Sequence, residues 1–373
     1  MEKKRLESLD ILRGFDLWVL LFFGTIVHAY CKVTDKNAFV TFLETQCEHP
    51  EWNGFVAWDM IMPLFIFMSG ITIPFSMSLY RKEKRPDMFF WKKLLKRFCL
   101  LFLLGWIVQG HLLDLDFKLF NPFANTLQAI AVAYVIAAIT YVYGGIRLTI
   151  VTAIICSLTY FLLFALNGQL YADTQDNIAM WVDKAILGSH RDGIDWADDG
   201  TWSFKESYRY TWIISSLNFA VTGIMGCLTG HLLRLEKFTP QKRTLYLLLI
   251  SAILIVFALA MAQFMPINKK RWNTPMTILS GGICCSLMAF TYYIVDVKGW
   301  RKGLNWLKYY GMNSIFAYVV GSIVSFSSIS KAFFHGFEPI LNGHYDLLIK
   351  TSNAILLLLL LRHLYNNKKF FKV

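Results

Sequence analysis

Charge is what this sequence most conspicuously runs short of. Only 17% of its 373 residues are Asp, Glu, Lys or Arg, against 56% hydrophobic and 16% aromatic, and the mean hydropathy is +0.45. A soluble domain of this length needs more polar surface to cover its core, so a water-soluble globular fold is excluded. Familiar site signatures are missing too: there is no P-loop, no zinc-ligand spacing and no Ser-His-Asp spacing. The stretch Asp195-Trp196-Ala197-Asp198-Asp199-Gly200 lacks the ligand spacing of an EF-hand, and no metal site is expected. No internal repeat is evident, which argues against a transporter built from inverted halves. Nor is a cleavable leader expected. Met1–Arg5 is basic, but a small-residue cleavage site is lacking, and Asp10, Arg13 and Asp16 interrupt the apolar stretch.

What the chain does have is apolar runs near twenty residues, each long enough to cross roughly 30 Å of hydrocarbon as a helix. They predict an all-α, polytopic transmembrane bundle of about ten helices. The spans read Ile11–Tyr30, Phe55–Leu79, Leu94–Leu113, Phe123–Val142, Leu148–Leu166, Trp212–Leu235, Leu245–Met265, Pro275–Val297, Tyr309–Phe326 and Tyr345–Tyr365. We read residues 1–373 as one transmembrane domain, with long extracytoplasmic loops at about 31–53 and 167–211. The net charge of +12 sits in short blocks between spans, such as Arg81, Lys82, Lys84 and Arg85, or Lys298, Arg301 and Lys302. That is a positive-inside pattern, which places both termini in the cytoplasm and leaves no basic domain for nucleic acid.

Five of the seven cysteines fall within spans and read as small apolar packers. Cys31 and Cys47 share the first outer loop, either as a disulfide or as two free thiols. The second outer loop carries Trp181, Trp196 and Trp202 among aspartates, as a solvated cap or as a lid that contacts sugar.

Polar residues inside or beside the spans are the candidates for chemistry. Asp10 and Arg13 are three apart on one helical face at the cytoplasmic boundary. There they form a helix-end ion pair, or Arg13 contacts phosphate or substrate. His49 sits at the outer mouth of the second span and Asp59 lies inside it, in Glu48-His49-Pro50-Glu51-Trp52-Asn53-Gly54 followed by Phe55-Val56-Ala57-Trp58-Asp59. An aspartate in an apolar helix is a functional candidate, and a neutral histidine is a natural general base. Gln128, Asn218 and Asn313 are further polar residues in spans, either bonding neighbouring helices or lining a polar cavity.

These motifs resemble a known family. Ser8-Leu9-Asp10 with Arg13-Gly14, His49-Pro50-Glu51-Trp52-Asn53-Gly54, and Asp59 with Pro63-Leu64-Phe65 are similar to the catalytic membrane domain of heparan-alpha-glucosaminide N-acetyltransferase. The likeness extends through Pro266-Ile267-Asn268-Lys269-Lys270 with Trp272, Val295-Asp296-Val297-Lys298-Gly299 and Gly311-Met312-Asn313-Ser314. It implies a bacterial-type member in the plasma (inner) membrane that moves acetyl from cytosolic acetyl-CoA to an extracytoplasmic amino sugar or glycan. On that basis His49, Asp59 and Asn53 are the catalytic candidates. Arg13, Asp10, Arg97, Gln128 and Asn313 are candidates for acetyl-CoA, and Trp52, Asn218 and Trp272 for the acceptor. His49 would act as base or transient acetyl carrier, and Asn53 would steady an oxyanion. The expected partners are the acceptor glycan and membrane lipid, with a homodimer an open option.

Two departures stand out. Leu127-Gln128 is followed by Ala129 where the family reads arginine, and Arg209-Tyr210-Thr211-Trp212 replaces the family's Asp-Pro-Glu-Gly. The alternatives are a transporter or flippase for a glycan or lipid precursor, using Asp10, Arg13 and Asp59 as pathway charges, and a noncatalytic membrane scaffold.

Overall fold

The computed structural model describes residues 6–82, 87–171 and 177–371; Lys84 and Arg85 of the basic block lie outside them. Of the described residues, 73% are helical. We number its principal helices α1 (Glu7–Val33), α2 (Ala38–Gln46), α3 (Ala57–Ser76), α4 (Met88–Val108), α5 (Thr126–Leu166), α6 (Ile178–Leu187), α7 (Ser216–Arg234), α8 (Pro240–Met261), α9 (Thr274–Val297), α10 (Asn305–Met312), α11 (Ser314–Ile323) and α12 (Tyr345–Asn366). A two-stranded antiparallel hairpin, β1 (Ile194–Trp196) and β2 (Trp202–Phe204), decorates the loop after α6.

Among the described residues, seven segments are long and apolar enough to cross a membrane: α1, α3, α5, α7, α8, α9 and Phe326–Asn366, which ends in α12. Three places explain how this number relates to the spans read from sequence. The 41 residues of α5 are two helical stretches joined at Gly145, whose φ of 61° and ψ of −153° leave the helix. That conformation favours glycine, and the break falls where sequence places an inner turn. The 21 residues of α4 carry Lys92, Lys93, Lys96 and Arg97 in their first half, which lowers its apolarity. The span read at Tyr309–Phe326 is broken at Asn313, between α10 and α11. At about 1.5 Å per residue, the ten residues of α11 cannot cross the hydrocarbon alone.

The apolar faces that helices normally hide stay open on the long segments. Ile253, Val256 and Phe257 on α8, and Ile154, Ile155 and Leu158 on α5, are all exposed. Backbone polar groups along these helices are satisfied internally, so such surfaces suit lipid. This is a multi-pass membrane protein.

The described chain gathers into two compact units. Unit 1 comprises residues up to Pro50, Val56–Ile61 and Leu287–Val373; unit 2 comprises Glu51–Phe55 and Met62–Ser286. In unit 1, α1 and α10 approach backbone to backbone. A Cβ on Gly14 would lie 1.8 Å from the Leu307 carbonyl oxygen, and one on Gly311 would lie 1.7 Å from that of Asp10. Only glycine permits this crossing, the small-residue packing typical of membrane helices. A π-turn at Val19–Phe23 interrupts α1 one turn later. In unit 2, α7 packs against the first half of α5, where Tyr134, Ala137, Ala138 and Tyr141 meet Ile224 and Cys227.

Candidate active site

The start of α3 positions the first candidate pair, within unit 1. A tight turn at Ala57–Met60 opens the helix. Asp59, fully buried, reaches back so that one carboxylate oxygen accepts from the Val56 N–H at 3.0 Å. Its other oxygen lies 2.5 Å from His49 Nδ1. Gln46 Oε1 accepts from the Ala57 N–H at 2.9 Å, tying the end of α2 to the same helix start. The first turn of a helix favours a carboxylate through its exposed N–H groups. The Asp59 carboxylate fixes the orientation of the His49 ring through Nδ1. The His49 side chain is 22% exposed. A buried carboxylate that orients a partly exposed imidazole is the arrangement of a general base or nucleophile.

His28 was not picked out by the sequence. Its Nδ1 donates to the Gly24 carbonyl at 2.7 Å and its Nε2 lies 3.6 Å from Glu48. Its position one turn before the end of α1 carries no motif, so only the fold reveals it. Cys31 and Cys47 are both buried thiols in one apolar cluster with Val27 and Val40.

The other unit 1 candidates are held by structural bonds. Asp10 is buried, and Arg13 approaches it at 3.9 Å, a long ion pair. Asn313 is committed at both ends: Nδ2 donates to the Lys369 carbonyl and Oδ1 accepts from the Phe371 N–H. It ties down the chain after α12.

Unit 2 knits residues 51–55 to 266–273. Asn53 Oδ1 accepts from the Ile267 N–H at 3.0 Å, and the Gly54 N–H donates to the Ile267 carbonyl at 3.1 Å. Asn268 Nδ2 donates to the Trp52 carbonyl, and the Arg271 guanidinium sits 4.3 Å above the Trp52 ring. Asn218 Nδ2 donates to the Trp272 carbonyl at 2.8 Å. Trp52, Asn53, Asn218 and Trp272 are thus joined by one segment, in which Trp272 takes a φ of 46°. Gln128 lies elsewhere in unit 2. Its oxygen accepts from the Ala124 and Asn125 N–H groups and its nitrogen donates to Pro122. Arg97 stacks 3.9 Å from the Tyr134 ring centroid.

Three comparisons bear on these residues. Residues 5–182 match the family model described as heparan-alpha-glucosaminide N-acetyltransferase, catalytic. The chain is 23% identical over 363 residues to the heparan-alpha-glucosaminide N-acetyltransferase of Mus musculus and 21% identical to that of Homo sapiens. The chain is similar to these enzymes. The matches cover 84% of this chain but 53% and 52% of the two proteins, so the chain spans about half the length of the curated relatives it matches.

The N-acetyltransferase family match includes His49, Asp59, Asn53, Trp52, Asp10, Arg13, Arg97 and Gln128, and ends before Asn218, Trp272 and Asn313. In the same half, Arg81 was read from sequence only as a basic-loop residue. Its guanidinium donates to Tyr141 Oη at 3.2 Å and lies over that ring, and Tyr141 Oη meets His231 Nδ1 at 3.0 Å. Arg234 donates to the Pro74 carbonyl at 2.7 Å. Four cationic or imidazole groups, Arg81, Arg97, His231 and Arg234, thus sit on helices that pack together in unit 2. Sequence separations of 60 and 90 residues between the bonded partners hide this group from any local motif.

Proposed function

We propose that this protein is a membrane acetyltransferase that moves acetyl from acetyl-CoA to an amino sugar or glycan outside the cytoplasm. The observation that carries the reading is the His49–Asp59 pair, inside the region that matches the N-acetyltransferase family. His49 Nε2 takes the proton of the acceptor amine or hydroxyl as that atom attacks the thioester carbonyl and gives it to the CoA thiolate that leaves, or His49 itself displaces CoA and passes the acetyl group on to the acceptor. Asp59 holds the ring and stabilises the imidazolium that results. Asn53, its carbonyl anchored on Ile267 and its side chain exposed, offers an N–H donor to an oxyanion. Acetyl-CoA supplies the activated acyl group. Arg13 in unit 1, and Arg97 with Arg81 and Arg234 in unit 2, supply guanidinium groups suited to its phosphates.

The accompanying topology is one domain of about ten spans with both termini cytoplasmic, supported by the basic loops. The setting is a bacterial plasma membrane. Purified protein incubated with labelled acetyl-CoA and glucosamine should label the acceptor, and His49→Ala should not. Labelling of neither acceptor nor protein by the wild type would leave a transporter as the better reading.

A further inference from the structure

Three membrane-length segments stop together in unit 1. There α1 begins at Glu7, α9 ends at Val297 and α12 ends at Asn366. Bonds between residues far apart in the chain gather these ends. Glu7 pairs with Arg301 at 2.8 Å and with Lys308 on α10 at 3.6 Å, and the Asp296 carboxylate accepts from the Ser8 N–H at 3.2 Å. Tyr309, beside Lys308, packs its ring 4.9 Å from that of Tyr365 near the end of α12. Asn313 holds Lys369 and Phe371, and Phe371 stacks on Phe316 at 4.6 Å. A place where several crossing helices stop is the level at which hydrocarbon gives way to lipid headgroups.

Charge at this level is one-sided. The carboxylates among its described residues are already engaged, Glu7 by Arg301 and Lys308 and Asp296 by Ser8. Five further cations, Lys298, Lys302, Arg362, Lys368 and Lys369, are exposed, and none pairs with a carboxylate among the described residues. In the sequence they fall in two separate blocks, and only the fold brings the blocks to one end of the unit. Aromatic rings belong to the same end: Trp300 is 61% exposed, Phe371 53% and Tyr293 36%, with Lys298 Nζ 5.5 Å from the Tyr293 ring centroid. Such rings favour the headgroup level of a bilayer, where Lys and Arg stems cover apolar surface and their charges reach phosphates. Cations alone would suit any phosphate. Cations on an aromatic collar at the ends of three spans suit a phosphate that carries acyl chains. A zwitterionic headgroup brings its own ammonium and leaves the excess charge uncompensated, whereas an anionic one neutralises it.

We propose that this end of unit 1 is a docking surface for anionic phospholipid. Headgroup phosphates lie at the five unpaired cations, and acyl chains lie against Trp300 and Phe371. The surface narrows the membrane partner from lipid in general to lipid of net negative charge, and it does not depend on the acetyl-transfer reading.

Native mass spectrometry of the detergent-purified full chain, titrated with short-chain phosphatidylglycerol or phosphatidylcholine, tests it. Phosphatidylglycerol should be retained about tenfold or more above phosphatidylcholine, and a triple variant, Lys302→Gln with Arg362→Gln and Lys369→Gln, should lose that preference. These side chains are exposed and unpaired, so the variant should fold, and its melting temperature in neutral detergent checks this. If it does not fold, Lys302→Gln and Lys369→Gln singly should each lower the preference in part. Equal retention of the two lipids, or a preference that survives the substitutions, overturns the proposal. Displacement of phosphatidylglycerol by inorganic phosphate overturns the lipid in favour of a free phosphate. Displacement by acetyl-CoA overturns it in favour of the acyl donor's phosphates.

Discussion

Two polar regions of this chain differ in how their side chains are committed. At residues 49–59, His49 Nδ1 is held by Asp59 on a side chain 22% exposed, and Asn53, exposed, is bonded through its side-chain carbonyl. At residues 122–128, Gln128 is bonded at both ends of its amide and fully buried. Asn313 in unit 1 behaves like Gln128. In the sequence all four were site candidates, His49 and Asn53 for catalysis and Gln128 and Asn313 for acetyl-CoA. The structure separates them. The first two side chains reach the surface of the fold, whereas a fully buried side chain satisfied on both sides holds backbone in place.

The sharpest way to break the comparison is at its reactive end. His49→Ala should lower acetyl transfer by roughly 10²–10⁴-fold, the scale of general acid–base work. The melting temperature should fall only modestly, by what leaving one oxygen of the buried Asp59 carboxylate without His49 costs, about 1–3 kcal/mol. Near-wild-type turnover in the purified variant would remove His49 from the mechanism. Asp59→Asn is subtler and should cost about 10²-fold, the lower end of that scale. The amide oxygen can still accept from Val56, but the amide nitrogen then donates to Nδ1 and forces the proton onto Nε2. The pH profile should change with it. An alkaline limb unaltered by Asp59→Asn would mean that Asp59 only caps α3.

Much of the architecture was legible from periodicity and charge. The apolar runs and the Gly144-Gly145 break of α5 follow from local sequence. The helix break at Asn313 was not, because Asn313 is determined by Lys369 and Phe371, more than fifty residues away. The His49–Asp59 bond was half legible. Both residues were singled out, but their contact depends on the 50–56 turn, which has no periodicity to read. Gln128 carried a usable signal that was passed over. Asn125 followed three residues later by Gln128 is a capping box, and α5 starts there. The Arg81–Tyr141–His231 contact has no local signature at all.

The loop after α5 offers a test of the same contrast by pH. Asp183 on α6 is buried and accepts from the Trp212 and Ile213 N–H groups at 2.7 and 2.9 Å, anchoring the approach to α7. Burial raises its pKa from the ordinary 3.8 to about 6, against the lowering effect of those two N–H groups and of Arg191. A raised carboxylate pKa means that the folded loop keeps a proton, between about pH 4 and 6, which the unfolded loop has released. This contribution to stability is therefore full below pH 4 and is lost as pH rises through 6. The shift corresponds to about 3 kcal/mol. Hydrogen exchange, corrected for intrinsic rates, should show residues 177–213 better protected at pH 5 than at pH 7, with Asp183→Asn flattening the difference. Equal protection in wild type at both pH values would show Asp183 to be ionised throughout.

The smallest expected effect separates scaffold from ligand contact at Gln128. Removing its amide leaves the Ala124 N–H without its acceptor and the start of α5 without half of its capping box. Gln128→Ala should therefore cost about 1–3 kcal/mol of stability, from an unmade buried hydrogen bond and a weakened cap. Activity per folded molecule should not change, since neither end of the amide is spare for acetyl-CoA. Gln128→Glu sharpens the test, because it keeps the acceptor toward Ala124 and loses only the donor toward Pro122. Its stability should fall between those of wild type and the alanine variant. If instead both variants melt like wild type and raise the KM for acetyl-CoA, Gln128 contacts the donor after all. Full hydrogen bonding would then be no guide to which intramembrane polar residues are structural.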